Sequence, residues 1–212
     1  MATAVLPVKR FDAAKQRLTA GFDKERRREL VGAMVADVLE AVGEARTIER
    51  TIVVTGDPIA QQIAAEAGAE VVPDPGDFGH VQATLAGIAR AEVEGEECVV
   101  LLPGDCPLLD PRELDRLLTG VPERYVAVVP DRHGTGTNAL VLSPPSAIVP
   151  AFGEGSCERH VAAAREAGVP FGVEELASLG LDLDTPADVV ALTTQLMSHP
   201  GRARRTAKAL GI

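Results

Sequence analysis

The feature that most constrains this chain is the run Val99-Val100-Leu101-Leu102-Pro103-Gly104-Asp105-Cys106-Pro107-Leu108-Leu109. Four consecutive apolar residues read as a strand buried on both faces, the pattern of an interior strand in a parallel sheet. Pro103 and Gly104 stop the strand, and a carboxylate follows at once. Open α/β sheets bind ligands beyond the carboxyl ends of their strands, and core packing has no use for an acid there. Asp110 is better placed to cap the helix expected from about Pro111. Asp105 is therefore expected to be a metal or substrate ligand.

The rest of the periodicity supplies a sheet around that strand. Ala2 to Val8 and Thr51 to Thr55 read as strands, and Glu70 to Val72 as a short third one. Between the first two lies an amphipathic helix over 25–43, with Leu30, Met34, Val38 and Val42 on one face. A second helix runs to about Ala67. Residues 73–80 carry too many breakers for regular structure. A helix from about Val81 to Glu94 follows, with Leu85 and Ile88 on its buried side. This alternation predicts a doubly wound α/β sheet with right-handed crossovers. Tyr125 to Val129 and Asn138 to Leu142 predict a hairpin, so the sheet should be mostly parallel but mixed, flanked by helices. Residues 179–184 read as an edge strand before a helix capped by Thr185 or Asp184, with Pro186 at its first position. No repeat or composition shift is visible. Residues 1–200 are expected to form one domain. Residues 201–212, with Arg202, Arg204, Arg205 and Lys208, read as a loosely attached basic tail.

Composition narrows the partners. A net charge of −10 argues against a nucleic-acid or anionic-membrane surface. Aromatic residues at 3% and the absence of Trp argue against base-stacking platforms. No apolar run approaches the ~20 residues of a membrane span, and the N-terminus lacks a signal-peptide core. Cys98, Cys106 and Cys157 have no zinc spacing and fit a reducing cytoplasm.

Three further clusters carry chemistry. Lys9, Arg10, Lys15 and Arg17 fall directly after the first strand, beside the expected position of Asp105. A solvated turn would explain them, but cations there would also face a polyphosphate. The glycines of a Walker A loop are missing. Phe152-Gly153-Glu154-Gly155-Ser156 precedes a helix from about Cys157 to Ala167. That loop is either an anion site made of exposed amides or an ordinary N-cap by Ser156. Asp182 and Asp184, two residues apart, would share one strand face and address one metal together. His160, one helical turn from Ser156, is expected to support the loop rather than abstract protons. There is no serine elbow and no Cys/His nucleophile pair. Hard carboxylates without a histidine cluster suit Mg²⁺, and the whole inventory fits phosphoryl or nucleotidyl transfer.

Five motifs in register then resemble a known family. Pro7-Val8-Lys9 with Ala14-Lys15-Gln16-Arg17-Leu18, and Leu102 to Leu109, resemble the opening and metal motifs of the phospholactate/phosphoenolpyruvate guanylyltransferases of deazaflavin coenzyme F-420 biosynthesis. Gly136-Thr137-Asn138-Ala139-Leu140, Phe152-Gly153 with Ser156 to His160, and Asp182-Leu183-Asp184-Thr185-Pro186 complete the set, from Ala2 to about Met197. The resemblance implies a GT-A-like, Rossmann-like nucleotidyltransferase fold and transfer of GMP from GTP to the phosphate of a small three-carbon acid. It implies that Lys9, Lys15 and Arg17 hold the triphosphate, with Asp105, Lys15 and Arg17 catalytic. Asp105 and Asp184, assisted by Asp182, would hold Mg²⁺, and Thr137, Gly153 and Ser156 the acid. One stretch departs: the helix near residue 80 opens His80-Val81-Gln82 where the family usually has Gly-Leu-Asn. Gln82 keeps an amide able to read a purine edge. Molybdopterin or sugar-phosphate nucleotidyltransferases are the nearest alternative, but their glycine-rich first loop is absent. A non-catalytic nucleotide-binding protein would have no use for the three aspartates. A second copy of the chain, or the next enzyme of the pathway, is the partner expected for the basic tail.

Overall fold

All of β1 (Ala2–Val8) is buried, on both faces. It is the strand on which the sheet is laid out. A computed structural model describes the chain apart from residues 20, 75, 78 and 200 and the side chain of Ala13. Pro75 and Phe78 of the breaker-rich loop, and Pro200 at the expected domain edge, thus lie outside the described residues.

β2 (Ile48–Thr55) and β3 (Glu70–Pro73) extend the sheet on one side of β1. β4 (Val99–Leu101), β6 (Thr137–Ser143), β5 (Tyr125–Pro130) and β7 (Phe171–Val173) extend it on the other. The order is β3-β2-β1-β4-β6-β5-β7. β1 pairs in parallel with both β2 and β4, whereas β6 runs antiparallel to β4 and β5. The sheet is mixed, as the hairpin predicts. The chain reverses its direction of growth between β1 and β4, and their carboxyl ends diverge there into a crevice.

Helices cover both faces because the strands alternate apolar residues to both. Ala4 and Leu6 point into a core shared with α1 (Lys24–Glu44), α4 (Pro111–Leu118) and α6 (Pro186–Ser198), while Val5 points into the opposite core. That second core holds α3 (His80–Val93) and α5 (Ser156–Glu166). α2 (Pro58–Glu66), capped by Asp57, packs on the first face. α3 lies very close to the sheet, since a Cβ on Gly87 would come within 2.3 Å of Val5 Cγ1. The buried face of α3 is Ala83, Thr84, Gly87, Ile88 and Ala91, and Leu85, expected on it, falls to one side and is only half buried.

Two expectations are corrected. Residues 181–184 form no strand. Their backbone is taken up locally, with Leu183 N–H donating to the Asp105 carbonyl at 3.3 Å, while Leu181 and Leu183 plug the core. The edge position is filled by β7, which pairs with β5. The C-terminal segment is not loose either. α7 (Arg204–Leu210) docks on α1 through Asp37, whose buried carboxylate accepts from Thr206 N at 2.8 Å and Thr206 Oγ1 at 2.7 Å. Arg205 pairs with Asp37 and Glu40, and Arg202 with Asp110. Two of the four tail cations thus serve the chain's own acids. Among the described residues no helix is long and apolar enough to cross a membrane.

Asp37→Ala removes the acceptor that holds the first turn of α7 and leaves buried donors unpaired. Unfolding free energy in denaturant is expected to fall by about 2–4 kcal/mol. An unchanged midpoint would contradict this anchoring.

Candidate active site

The crevice between β1 and β4 is organised by a lysine. After β1 the chain makes two short 3-10 turns, Phe11–Ala13 and Gln16–Leu18, and Lys15 sits between them in the left-handed region, φ 53° and ψ 38°. A non-glycine residue pays on the order of 1–2 kcal/mol for that backbone, so its side chain must be well engaged. It is: Lys15 Nζ donates to Asp105 and, at 2.7 Å, to Asp184 Oδ1. The lysine side chain is 8% exposed, Asp105 27% and Asp184 51%. Burial alone would lower the ammonium's pKa, but the two carboxylates outweigh it and the pKa is raised. Lys15 is a fixed cation.

Each carboxylate is positioned by its own loop. Asp105 follows the stop at Pro103-Gly104, above the buried thiol of Cys106, whose pKa burial and the nearby carboxylates push well up. That thiol is no nucleophile. Asp184 is held by Asp188, in the first turn of α6. Asp188 Oδ2 accepts from Asp184 N at 3.0 Å, Thr185 N at 2.6 Å and Thr185 Oγ1 at 2.9 Å. Its other oxygen pairs with Arg132. Burial opposes charge on Asp188, yet these bonds and Arg132 hold its carboxyl below the usual range. Thr185 is the N-cap and Pro186 opens the helix, as expected. The capping-box spacing Thr185-x-x-Asp188 was the sequence signal for this hub, which the site assignment passes over.

Asp182 does not share a strand face with Asp184, because there is no strand. It lies near Asn138 Nδ2, 3.5 Å away, and among the described residues Lys15 pairs with Asp105 and Asp184 instead. Burial, then the charges of Asp105 and Asp184, push its carboxyl up. Among the described residues no three acidic, cysteine or histidine side chains are gathered as a ready metal site. The donors are nonetheless hard oxygens already sharing one cation, which is the environment a Mg²⁺ with phosphate ligands requires.

A cleft of about 310 Å³ opens in front of this triad, lined by Lys9, Lys15, Val35, His80, Asp105 and Asp184 among others. Arg17 and Gln82 are exposed, on the second 3-10 turn and the first turn of α3, and are not among its described lining. A larger cavity of about 450 Å³ lies between α1, α4 and residues 201–204. Its walls mix Asp37, Glu40 and Glu44 with Arg112, Arg202 and Arg204, and it contains none of the expected site residues.

The glycine loop is built as a scaffold. Gly153 and Gly155 adopt φ of 114° and 70°, open to glycine at little cost. Gly155, not Ser156, takes the N-cap position of α5. The amides of Ser156 and Cys157 are already used by the carbonyls of Gly153 (3.0 Å) and Thr135 (3.2 Å), so those two are not free for an anion. Arg159, unremarked in the sequence, ties the loop by donating to the carbonyls of Ala151, Phe152 and Glu154. His160 does support the loop. Its Nε2 accepts from Ala151 N–H at 2.8 Å, which puts the ring proton on Nδ1, 3.0 Å from Thr137 Oγ1. Ser156 Oγ also donates to Thr137 Oγ1, at 3.1 Å. Thr137 therefore accepts twice and keeps its own proton for an outside acceptor. Phe152 stands edge-on between His160 and His80, with centroids at 5.1 and 4.8 Å.

Comparison with known proteins comes to the same place. A family model described as "Guanylyl transferase CofC like" matches residues 2–209. A phosphoenolpyruvate guanylyltransferase of Conexibacter woesei is 45% identical over 96% of this chain and 92% of its own length. A 3-phospho-D-glycerate guanylyltransferase of Phenylobacterium zucineum is 37% identical over 99% and 95%. Among solved structures, a nucleotidyl transferase from Methanothermobacter thermautotroptrophicus superposes with a TM-score of 0.68 at 18% identity, covering 93% of this chain and 98% of that one. The fold is that of the nucleotidyltransferases.

Burial, reinforced by Arg159, lowers the His160 pKa from an ordinary 6.5 to about 4. A base depressed in the folded state stabilises fully above the unfolded value and loses that contribution as pH falls through the folded one. Between pH 6.5 and 4, wild type should therefore lose up to about 3 kcal/mol more unfolding free energy than His160→Phe. Parallel pH curves for the two proteins would contradict it.

Proposed function

The chain belongs to the CofC-like guanylyl transferase family, and we propose that it transfers GMP from GTP to the phosphate of a small phosphorylated three-carbon acid, phosphoenolpyruvate or 2-phospho-L-lactate. The setting would be coenzyme F-420 biosynthesis. The observation that carries this reading is the buried lysine shared by two carboxylates at the β1/β4 crevice. In the proposed reaction an acceptor phosphate oxygen attacks the α-phosphorus of GTP. The bond from that phosphorus to the bridging oxygen of the β-phosphate breaks, and pyrophosphate leaves. A phosphate is already an anionic nucleophile, so no general base is needed.

Lys9 and Lys15, both lining the cleft, are assigned to the triphosphate, and Arg17 on its exposed turn to the outermost phosphate. Gln82, two residues beyond His80, is assigned to the guanine edge. Asp105 and Asp184, with Asp182 beside them, would hold Mg²⁺, which when bound supplies charge neutralisation on the phosphates. Thr137, with Gly153, is assigned to the acid, and Ser156, whose amide and hydroxyl are both committed, is assigned to it only through the hydrogen bond that orients Thr137. The uncommitted hydroxyl proton of Thr137 supports that role. Free cysteines at 98, 106 and 157 support a reducing compartment, the cytoplasm.

The test is pyrophosphate release with Mg²⁺ and each acid, supplied with GTP, ATP or CTP. GTP should be used far better than the other two. Asp105→Asn should cut turnover by about a hundredfold or more while leaving the far-UV spectrum unchanged. Absence of GTP-dependent release with every acid would overturn the reading, and near-normal turnover of Asp105→Asn would remove the aspartate from it.

A further inference from the structure

A second, much smaller recess lies against the cleft. Its volume is about 20 Å³, and Leu101, Leu102, Thr137, Asn138 and Phe152 line it. Pro7, Pro103 and His80 border both cavities. Pro7 lies within β1 and Pro103 two residues beyond β4, so both are held by the backbone of the two central strands. His80 is different: it is a side chain at the first position of α3, and it lines both the cleft assigned to the nucleotide and the recess beside Thr137. Phe152 holds that ring edge-on, with centroids 4.8 Å apart and planes at 88°. Phe152 is itself braced by His160 and by the Arg159-tied loop. The depth of α3, set by the close packing at Gly87, brings the ring to this position.

Resting on the proposed guanylyl transfer, we propose that His80, backed by Phe152, is a specificity-determining residue that limits the acid to one whose phosphate and carboxylate share a carbon bearing a single small apolar group. A space of this size holds about one water-sized group. The methylene of phosphoenolpyruvate or the methyl of 2-phospholactate fits that description. 3-Phosphoglycerate does not: its phosphate and carboxylate sit on different carbons, and the carbon between carries a hydroxyl. The polar groups around the recess offer that hydroxyl little. Asn138 Nδ2 is committed to the Leu179 carbonyl at 2.6 Å, the Thr137 oxygen already accepts from His160 and Ser156, and the Thr137 proton is the one assigned to the acid's own anionic oxygens.

The experiment measures kcat/KM for phosphoenolpyruvate and for 3-phosphoglycerate at saturating GTP and Mg²⁺. Wild type should favour phosphoenolpyruvate by about tenfold or more, the discrimination expected from fit of a single small group. His80→Ala joins the two cavities and should reduce that preference about tenfold or more, chiefly by improving 3-phosphoglycerate. His80→Phe keeps a flat ring against Phe152 and should hold the preference within about threefold. Should His80→Ala not fold, His80→Val, intermediate in bulk, should give a preference between wild type and none. An unchanged ratio in the truncated variants, or a collapsed one in His80→Phe, overturns the inference while guanylyl transfer itself stands. Loss of turnover with both acids in the wild type overturns the underlying reading, and the inference with it.

Discussion

One ammonium group sets the geometry of this molecule's working end. Lys15 Nζ lies between Asp105 and Asp184 and so ties together the segments after β1, after β4 and before α6. The first two leave the ends of β1 and β4, the third lies outside the sheet, and a backbone bond from Leu183 N–H to the Asp105 carbonyl joins the last two. Two like charges facing one another across a partly buried crevice would push the loops apart. A cation between them reverses the sign of that term, and burial of the ammonium limits screening more on the Asp105 side than on the half-exposed Asp184 side. The left-handed backbone at Lys15 is the strain accepted for this placement.

Around the triad, positioning is delegated outward. Asp188 holds Asp184, and Arg132 holds Asp188. On the acid side His160 fixes Thr137, while Arg159 gathers three carbonyls of the glycine loop. Neither histidine nor arginine needs to touch a substrate to matter. They keep polar atoms in one arrangement, so that binding does not have to order them. The aromatic file His80-Phe152-His160 links the two sides of the cleft through contact rather than charge.

Much of this was legible because it rests on local pattern. The apolar run before Asp105 is a strand whatever lies beside it, and the alternation of strands and helices dictates a doubly wound sheet. Pro186 and Thr185 announce their helix. What was not legible depends on pairings distant in sequence. Asp182 and Asp184 carry strand periodicity, yet the edge of the sheet was taken by Phe171–Val173, whose short pattern gave no signal. The basic tail resembles a frayed end until Asp37, on α1, is known to face it. Lys15 and Arg17 look equivalent in the sequence, but one is bound between two carboxylates and the other is exposed.

The central claim is that Lys15 and the carboxylates act as one electrostatic unit. A double-mutant cycle with Lys15→Met and Asp105→Asn, read as unfolding free energy in metal-free buffer, measures that directly. A favourable coupling of roughly 0.5–3 kcal/mol is expected, with the double variant less destabilised than the two single variants added together. Strict additivity would contradict the account and reduce the lysine to one more charge beside the cleft.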